Sequence, residues 1–344
     1  MMNAHTQPRD HWPVIGHGWA IEQLRRSLAH GRVRHAYLIT GPASVGKTTL
    51  ARAFAQALNC VGDRPPCGVC RPCRLIGQDV HPDVPVVQAE REGGALKIDQ
   101  VRELQQSLAL RPVEGRFRVP ILLRFHEATP AAQDALLKTL EEPPPHVVMI
   151  LTADRADALL PTITSRCQLL LLRALSFDET YRGLQEAFGV PPEAADRLAR
   201  LSGGRIGWAV RAAQDPTLLE ARAAALDQLE AILRADRVAR FRYAAEVAKQ
   251  PAALRDMLTL WQTYWRDVVL LASGSSVSLV NIDRLPALQA VAAHAGPERA
   301  ADGLEAVSGA LERLAQNANT RLTVEVLMLD LPEVATGRLE AASQ

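Results

Sequence analysis

Two groups of residues in this 344-residue chain have the types and spacing that chemistry requires. The first is Gly41-Pro42-Ala43-Ser44-Val45-Gly46-Lys47-Thr48, which fits the pattern G-x-x-x-x-G-K-[ST]. It lies between a β-rich run, Ala36–Thr40, and a helical stretch, Thr48–Leu58. In that setting the backbone N–H groups of a glycine-permitted turn cradle phosphate oxygens, and the helix N-terminus adds the positive end of its dipole. Lys47 would neutralise the terminal phosphates, and the Thr48 hydroxyl, with Thr49 beside it, would approach a Mg²⁺ ion. Gly41, Ser44, Val45, Gly46, Lys47, Thr48 and Thr49 are therefore the candidate nucleotide-binding residues, with ATP/Mg²⁺ as the candidate ligand. Only four of the 39 basic residues are lysines (Lys47, Lys97, Lys138, Lys249), and one of them stands where the pattern demands it.

The second group is Cys60, Cys67, Cys70 and Cys73, spaced C-x6-C-x2-C-x2-C with Gly68 and Pro72 supplying turns. Four thiolates so spaced close a tetrahedral Zn²⁺ shell and leave no open position for water, so the site would be structural. A redox pair and an iron–sulfur cluster are the alternatives. Cys167 stands alone beside a strand and reads as a small buried hydrophobe.

One part of a hydrolytic site is missing. A phosphate-loop enzyme needs an acid at the end of another strand to hold Mg²⁺, usually with a second carboxylate beside it. Here the run ends Leu122-Leu123-Arg124-Phe125-His126-Glu127, with Arg124 in the natural place. The expectation is a site that binds nucleotide and hydrolyses it poorly; Glu127, three residues on, is the alternative acid.

These residues need a scaffold, and the chain's patterning supplies one. Strand candidates are Ala36–Thr40, Val84–Gln88, Phe117–Arg124, Val147–Thr152 and Gln168–Leu172. Helical stretches at Ile21–Leu28, Thr48–Leu58, Gln100–Leu108 and Ala131–Glu141 alternate with them. Continuous apolar strands separated by helices imply a five-stranded parallel sheet covered on both faces. Beyond about residue 173 the strand signal stops. Residues 176–213 predict two or three short helices, and from 216 breakers at Pro251, Gly274–Ser278, Pro286 and Pro297 cut an Ala/Leu-rich stretch into about five. The predicted division is an α/β nucleotide-binding domain at 1–173 with a zinc module at 60–73, a small helical domain at 174–214, a larger helical domain at 215–335 and a tail at 336–344.

Composition sets limits. A hydrophobic fraction of 48% excludes a disordered chain. The net charge of +1 divides into 26 basic and 21 acidic residues over 1–214 and 13 and 17 over 215–344, too mild an asymmetry for a polycation that grips nucleic acid alone. The longest purely apolar runs, such as Leu169–Leu172, fall far short of a membrane span, and the first dozen residues lack the apolar core of a secretory signal. A cytoplasmic protein is expected.

Val14-Ile15-Gly16-His17, His35-Ala36-Tyr37-Leu38, the phosphate loop, the four cysteines, Ala135-Leu136-Leu137-Lys138-Thr139-Leu140-Glu141-Glu142-Pro143-Pro144 and Ser165-Arg166-Cys167 occur in an order and spacing that resembles the AAA+ clamp-loader subunits of bacterial DNA polymerase III. The resemblance covers about residues 12–210, and beyond them only the helical layout. It implies an AAA+ α/β domain, a helical lid and an all-α collar. It also implies hetero-pentameric partners (motor tau/gamma and delta subunits), with the sliding clamp and primed DNA met through the complex. No polymerase activity of the chain's own is expected, only membership of a DNA-directed DNA polymerase holoenzyme. Val14 and Ile15 match the stretch that packs beside adenine in that family. Arg166, which read alone is a surface arginine closing the turn before a strand, matches the arginine that points into a neighbouring subunit's ATP site. Two positions depart: the arginine expected in the later sensor segment falls near Gly207, so it is absent or displaced to Arg205, and the polar sensor on the fourth strand falls at Thr152 or Ala153. The departures favour a subunit whose own site does not hydrolyse ATP. The alternatives are a hydrolysing motor subunit of the family or another phosphate-loop ATPase of DNA replication. His35 reads as a structural histidine, Glu141-Glu142 as a helix stop and interface edge, and Lys138 as either a DNA-phosphate contact or an interface residue.

Overall fold

The short apolar runs between the helical stretches become the strands of one sheet. A computed structural model describes residues 12–91, 94–316 and 318–334. In chain order the elements are α1 (Gly18–Ala29), β1 (Ala36–Thr40), α2 (Lys47–Asn59), α3 (Arg71–Gly77), β2 (Val86–Val87), α4 (Ile98–Leu108), β3 (Ile121–Leu122), α5 (Pro130–Glu141), β4 (Met149–Ala153), α6 (Pro161–Thr164) and β5 (Gln168–Leu171). Then come α7 (Phe177–Phe188), α8 (Pro192–Ser202), α9 (Ile206–Gln214), α10 (Thr217–Arg234), α11 (Arg237–Val247), α12 (Pro251–Ala272), α13 (Leu285–Ala315) and α14 (Thr320–Asp330).

The sheet is parallel with strand order β2-β3-β4-β1-β5, as the alternating pattern implies. Residues of β1 alternate between two cores. Tyr37 and Ile39 pack with Leu24 of α1 and with Leu50 and Phe54 of α2. Ala36 and Leu38 pack with Val101 and Leu104 of α4 and Leu136 of α5. Burial on both faces explains why β1 is a continuous apolar run rather than an alternating one. Its register pairs Thr40 with Ala153 of β4 and with Leu171 of β5, so all three strands end together. The loops after β1 and β4 therefore leave the sheet side by side, where open parallel sheets hold their ligands.

The chain divides into two compact units, Met1–Ala187 with Gly204–Trp208, and Phe188–Gly203 with Ala209–Gln344. The second unit has its own core, in which Trp261, Tyr264 and Trp265 of α12 meet Val291, Val307 and Ala310 of α13 and Val324 and Leu327 of α14. Its breakers act where the sequence places them: Pro251 opens α12, Pro286 lies in the first turn of α13, and Gly296-Pro297 kinks α13 through non-helical backbone at Gly296 (φ 69°, ψ 174°). Among the described residues no helix is long and apolar enough to cross a membrane. The predicted tail at 336–344 lies outside the described residues.

Candidate functional site

The phosphate loop folds over the end of β1. Gly41 has φ 144°, and a Cβ there would lie 2.3 Å from the carbonyl oxygen of Leu172, so only glycine fits. Ser44 (φ 63°) and Gly46 (φ 108°) complete the turn, and α2 starts at Lys47. The loop's carbonyls are held from outside. His17 Nε2 lies 2.9 Å from the carbonyl of Val45, and the Gly207 N–H donates to that of Ser44 at 2.8 Å. Lys47 Nζ donates to the carbonyls of Gly41 and Pro42 at 2.5 and 2.8 Å. With its carbonyls drawn away, such a loop keeps its N–H groups for an anion.

The remaining candidates take different places. Thr48 is half-buried and Thr49 exposed at the start of α2. Val14 packs against the core beneath β1, and Ile15 lies beside Gly183 of α7. Thr152, at the end of β4, is buried and accepts the Arg124 N–H at 2.9 Å, while Ala153 offers no polar group. Arg124 occupies the tip of β3 with left-handed backbone (φ 47°, ψ 49°), and its Nε donates to Glu127 at 3.0 Å. Glu127, the alternative acid, is thus paired with the arginine. Gly207 lies close against the loop: its N–H binds the Ser44 carbonyl oxygen, and a Cβ there would come 3.0 Å from that same atom.

Sequence reasoning missed Asp154. It follows β4 directly, and its Oδ1 accepts from Lys47 Nζ at 2.8 Å. The Gly41 N–H donates to the Asp154 carbonyl at 3.1 Å, which extends the β1–β4 pairing by one residue. The acid the sequence predicts, Glu127, lies beyond β3. Asp154 meets Lys47 because β4, not β3, is the strand next to β1.

Arg166 follows α6. Its Nη2 donates to Glu141 Oε1 at 2.8 Å and its Nη1 to the Thr162 carbonyl at 2.9 Å, leaving the side chain 35% exposed. Glu141, read as a helix stop, also holds this arginine at the surface. Lys138 is exposed on α5. His35 bonds through its carbonyl to the Met149 N–H at 2.8 Å, but its buried Nε2 has no hydrogen-bond partner among the described residues.

The four cysteines converge where α2 ends and α3 begins, with Cys73 in α3, and their Sγ atoms all lie within 4.8 Å of one another. Cys60 and Cys70 Sγ lie 3.9 Å apart. Four sulfurs at about 2.3 Å from a tetrahedral ion are separated by about 3.8 Å, so the donor set fits a metal held by thiolates. The N–H groups of Gly62 and Cys67 donate to Cys60 Sγ at 3.3 and 3.4 Å, and that of Cys70 to Cys67 Sγ at 3.3 Å. The Cys70 N–H is the main reason the Cys67 thiol is lowered to about 6, whereas burial pushes Cys60 and Cys73 upward. Cys167, apart from the cluster, packs against the sheet core and is raised by burial to about 12.

Comparison with known proteins places this geometry. Residues 16–176 match the family model described as "DNA polymerase III, delta subunit". The chain is 35% identical over 207 residues to the DNA polymerase III subunit tau of Escherichia coli, covering 58% of this chain and 32% of that protein. It is 39% identical over 176 residues to the tau/gamma subunit of Haemophilus influenzae, covering 51% and 25%. It thus spans about a third or less of the length of these relatives. A gamma subunit-related protein of Thermotoga maritima has a solved structure that aligns over 91% of this chain and 99% of its own, at 18% identity and a TM-score of 0.43. Over residues 16–176, then, a little under half of its length, the chain is similar to the family described as DNA polymerase III, delta subunit.

Proposed function

We propose that this chain is a clamp-loader subunit of DNA polymerase III of the delta-prime kind, one that binds nucleotide, hydrolyses it poorly and serves a neighbouring ATP site with Arg166. The observation that carries the reading is the tip of β3, where Arg124 closes on Glu127 and no carboxylate pair stands ready to hold Mg²⁺ and polarise water. Gly41, Ser44, Val45, Gly46, Lys47, Thr48 and Thr49 would hold the phosphates and Mg²⁺ of ATP, and Val14 and Ile15 the base. Arg166, held half-exposed by Glu141, would reach the phosphates bound by the next subunit and stabilise charge developing there. Cys60, Cys67, Cys70 and Cys73 would bind a structural Zn²⁺ that closes the segment between α2 and α3 and takes no part in catalysis.

In this reading residues 1–173 form the AAA+ domain, 174–214 the lid and 215–335 the collar that joins the motor and delta subunits in a hetero-pentamer. The assembly, in the cytoplasm, loads the sliding clamp onto primed DNA. A specific finding favours a second reading: the relatives reported above are named tau and tau/gamma, so the chain could be an ATP-hydrolysing motor subunit of that assembly.

Equilibrium ATP binding and ATP turnover, measured on one preparation of the chain alone, separate the two. Binding without turnover is expected; turnover comparable to that of a motor subunit establishes the second reading. In a complex reconstituted with motor and delta subunits, Arg166→Ala should lower DNA- and clamp-stimulated ATPase by roughly tenfold or more while assembly persists. Unchanged turnover in that complex would remove Arg166 from the neighbouring site.

A further inference from the structure

Lys47 has three N–H donors, and the structure assigns all three: the carbonyls of Gly41 and Pro42, and Asp154 Oδ1. Two of these acceptors are neutral carbonyls of the loop itself; only Asp154 is an anion. The lysine side chain is 9% exposed and the aspartate 48%, so the ammonium is largely withdrawn from water while the carboxylate remains reachable by it. Asp154 is fixed rather than loose. Its carbonyl takes the Gly41 N–H, its own N–H donates to His126 Nδ1 at 3.3 Å, and its Oδ2 lies 3.5 Å from His126 Nε2. A neutral imidazole that accepts at Nδ1 carries its proton on Nε2, so His126 can face both the N–H and the carboxylate of the same residue.

A phosphate oxygen arriving at the loop needs the ammonium that Asp154 holds. Two anions cannot share one buried cation without mutual repulsion, so the carboxylate's hold is subtracted from whatever the phosphate gains. We propose that Asp154 is an internal competitor for nucleotide phosphate, which sets the affinity of the loop by holding Lys47. The proposal rests on the reading of residues 41–48 as a nucleotide site and adds a residue that weakens binding there. Because the competition is for the lysine, it lowers affinity for ATP and ADP alike, and it disappears when Lys47 is absent.

The test is a double-mutant cycle on the full chain, with ATP and ADP titrated calorimetrically in the presence of Mg²⁺. Asp154→Asn and Asp154→Ala preserve the backbone bonds to Gly41 and His126, so both should fold, and matching thermal unfolding checks that they do. Both should bind ATP and ADP roughly two- to tenfold more tightly than the wild type. The gain should vanish in the Lys47→Ala background. Equal or weaker binding by the Asp154 variants overturns the proposal and makes Asp154 a supporter of the ligand or its Mg²⁺. A gain that survives in the Lys47→Ala background also overturns it, because the effect then does not act through the lysine. If neither wild type nor Asp154→Asn binds nucleotide at millimolar concentration, the nucleotide-site reading fails and this proposal with it, an outcome distinct from the other two.

Discussion

Asp83 lies fully buried and accepts the N–H groups of Val113, Glu114 and Gly115 at 2.7, 2.9 and 2.8 Å, with Arg118 Nη2 3.6 Å away. Burial alone would raise its carboxyl, but the three N–H groups and the neighbouring His81 outweigh it and leave Asp83 below its ordinary value. A carboxyl depressed in the folded state contributes stability that is complete above its unfolded value, about pH 4, and is lost as the pH falls through the lower folded value. Asp83→Ala should therefore cost about 3 kcal/mol at neutral pH in denaturant unfolding, by orphaning three buried donors. Asp83→Asn should cost less and flatten the loss of stability below about pH 4; an unaltered acid limb would mean that Asp83 is not the group titrating there. At this scale the sequence was legible where a residue's partners are its chain neighbours. The phosphate loop and the four cysteines could be read from spacing because their geometry is local. Asp154 could not, because its partner Lys47 is 107 positions away and only the order of strands brings them together.

Between elements, burial was easier to read than hydrogen bonding. Ala36–Thr40 was legible to the residue because it is rich in β-formers, mostly apolar, and buried throughout. The expected strand at Phe117–Arg124 shrinks to Ile121–Leu122 with one isolated bridge from Arg118 to Val147, because Pro120 has no N–H to give the ladder. Pro85 shortens Val84–Gln88 to Val86–Val87 in the same way. Nothing in the sequence marked Arg240 of α11, which lies buried and spans two helix ends. It donates to the carbonyls of Ile232 and Leu233 at the end of α10 and of Met328, Leu331 and Pro332 at and beyond the end of α14. Terminal helix carbonyls lack intrahelical donors, and a cation there also meets the negative end of each helix dipole. No compact ammonium can reach five carbonyls, so Arg240→Lys should destabilise nearly as much as Arg240→Met, by about 3 kcal/mol in denaturant unfolding. A lysine variant within about 0.5 kcal/mol of wild type would show that the charge matters and the fork does not.

Across the molecule, the two compact units each close their own apolar core, one built on the sheet and one on α12, α13 and α14. The sequence predicts instead three segments, divided at about residues 173 and 214, whereas α7 goes with the sheet unit and α8 with the helical one. The charge is also uneven along the chain, with a basic excess over residues 1–214 and an acidic excess after it. Units with separate cores lose their structure in separate cooperative steps unless the surface between them is large and apolar. Calorimetry of the full chain should therefore show two transitions, and the substitutions argued above assign them. Asp83→Ala should lower one transition and Arg240→Met the other, each leaving its counterpart within about a degree. On the proposal that the cysteine cluster holds Zn²⁺, a metal chelator should act as Asp83→Ala does, because the cluster belongs to the sheet unit and a metal on folded thiolates would add to that unit's stability alone. On the proposed nucleotide reading of residues 41–48, ATP with Mg²⁺ should raise that same transition. A single transition moved by all four treatments would mean that the two cores unfold as one, and the effects of nucleotide and metal would then reach the helices beyond residue 208 as well.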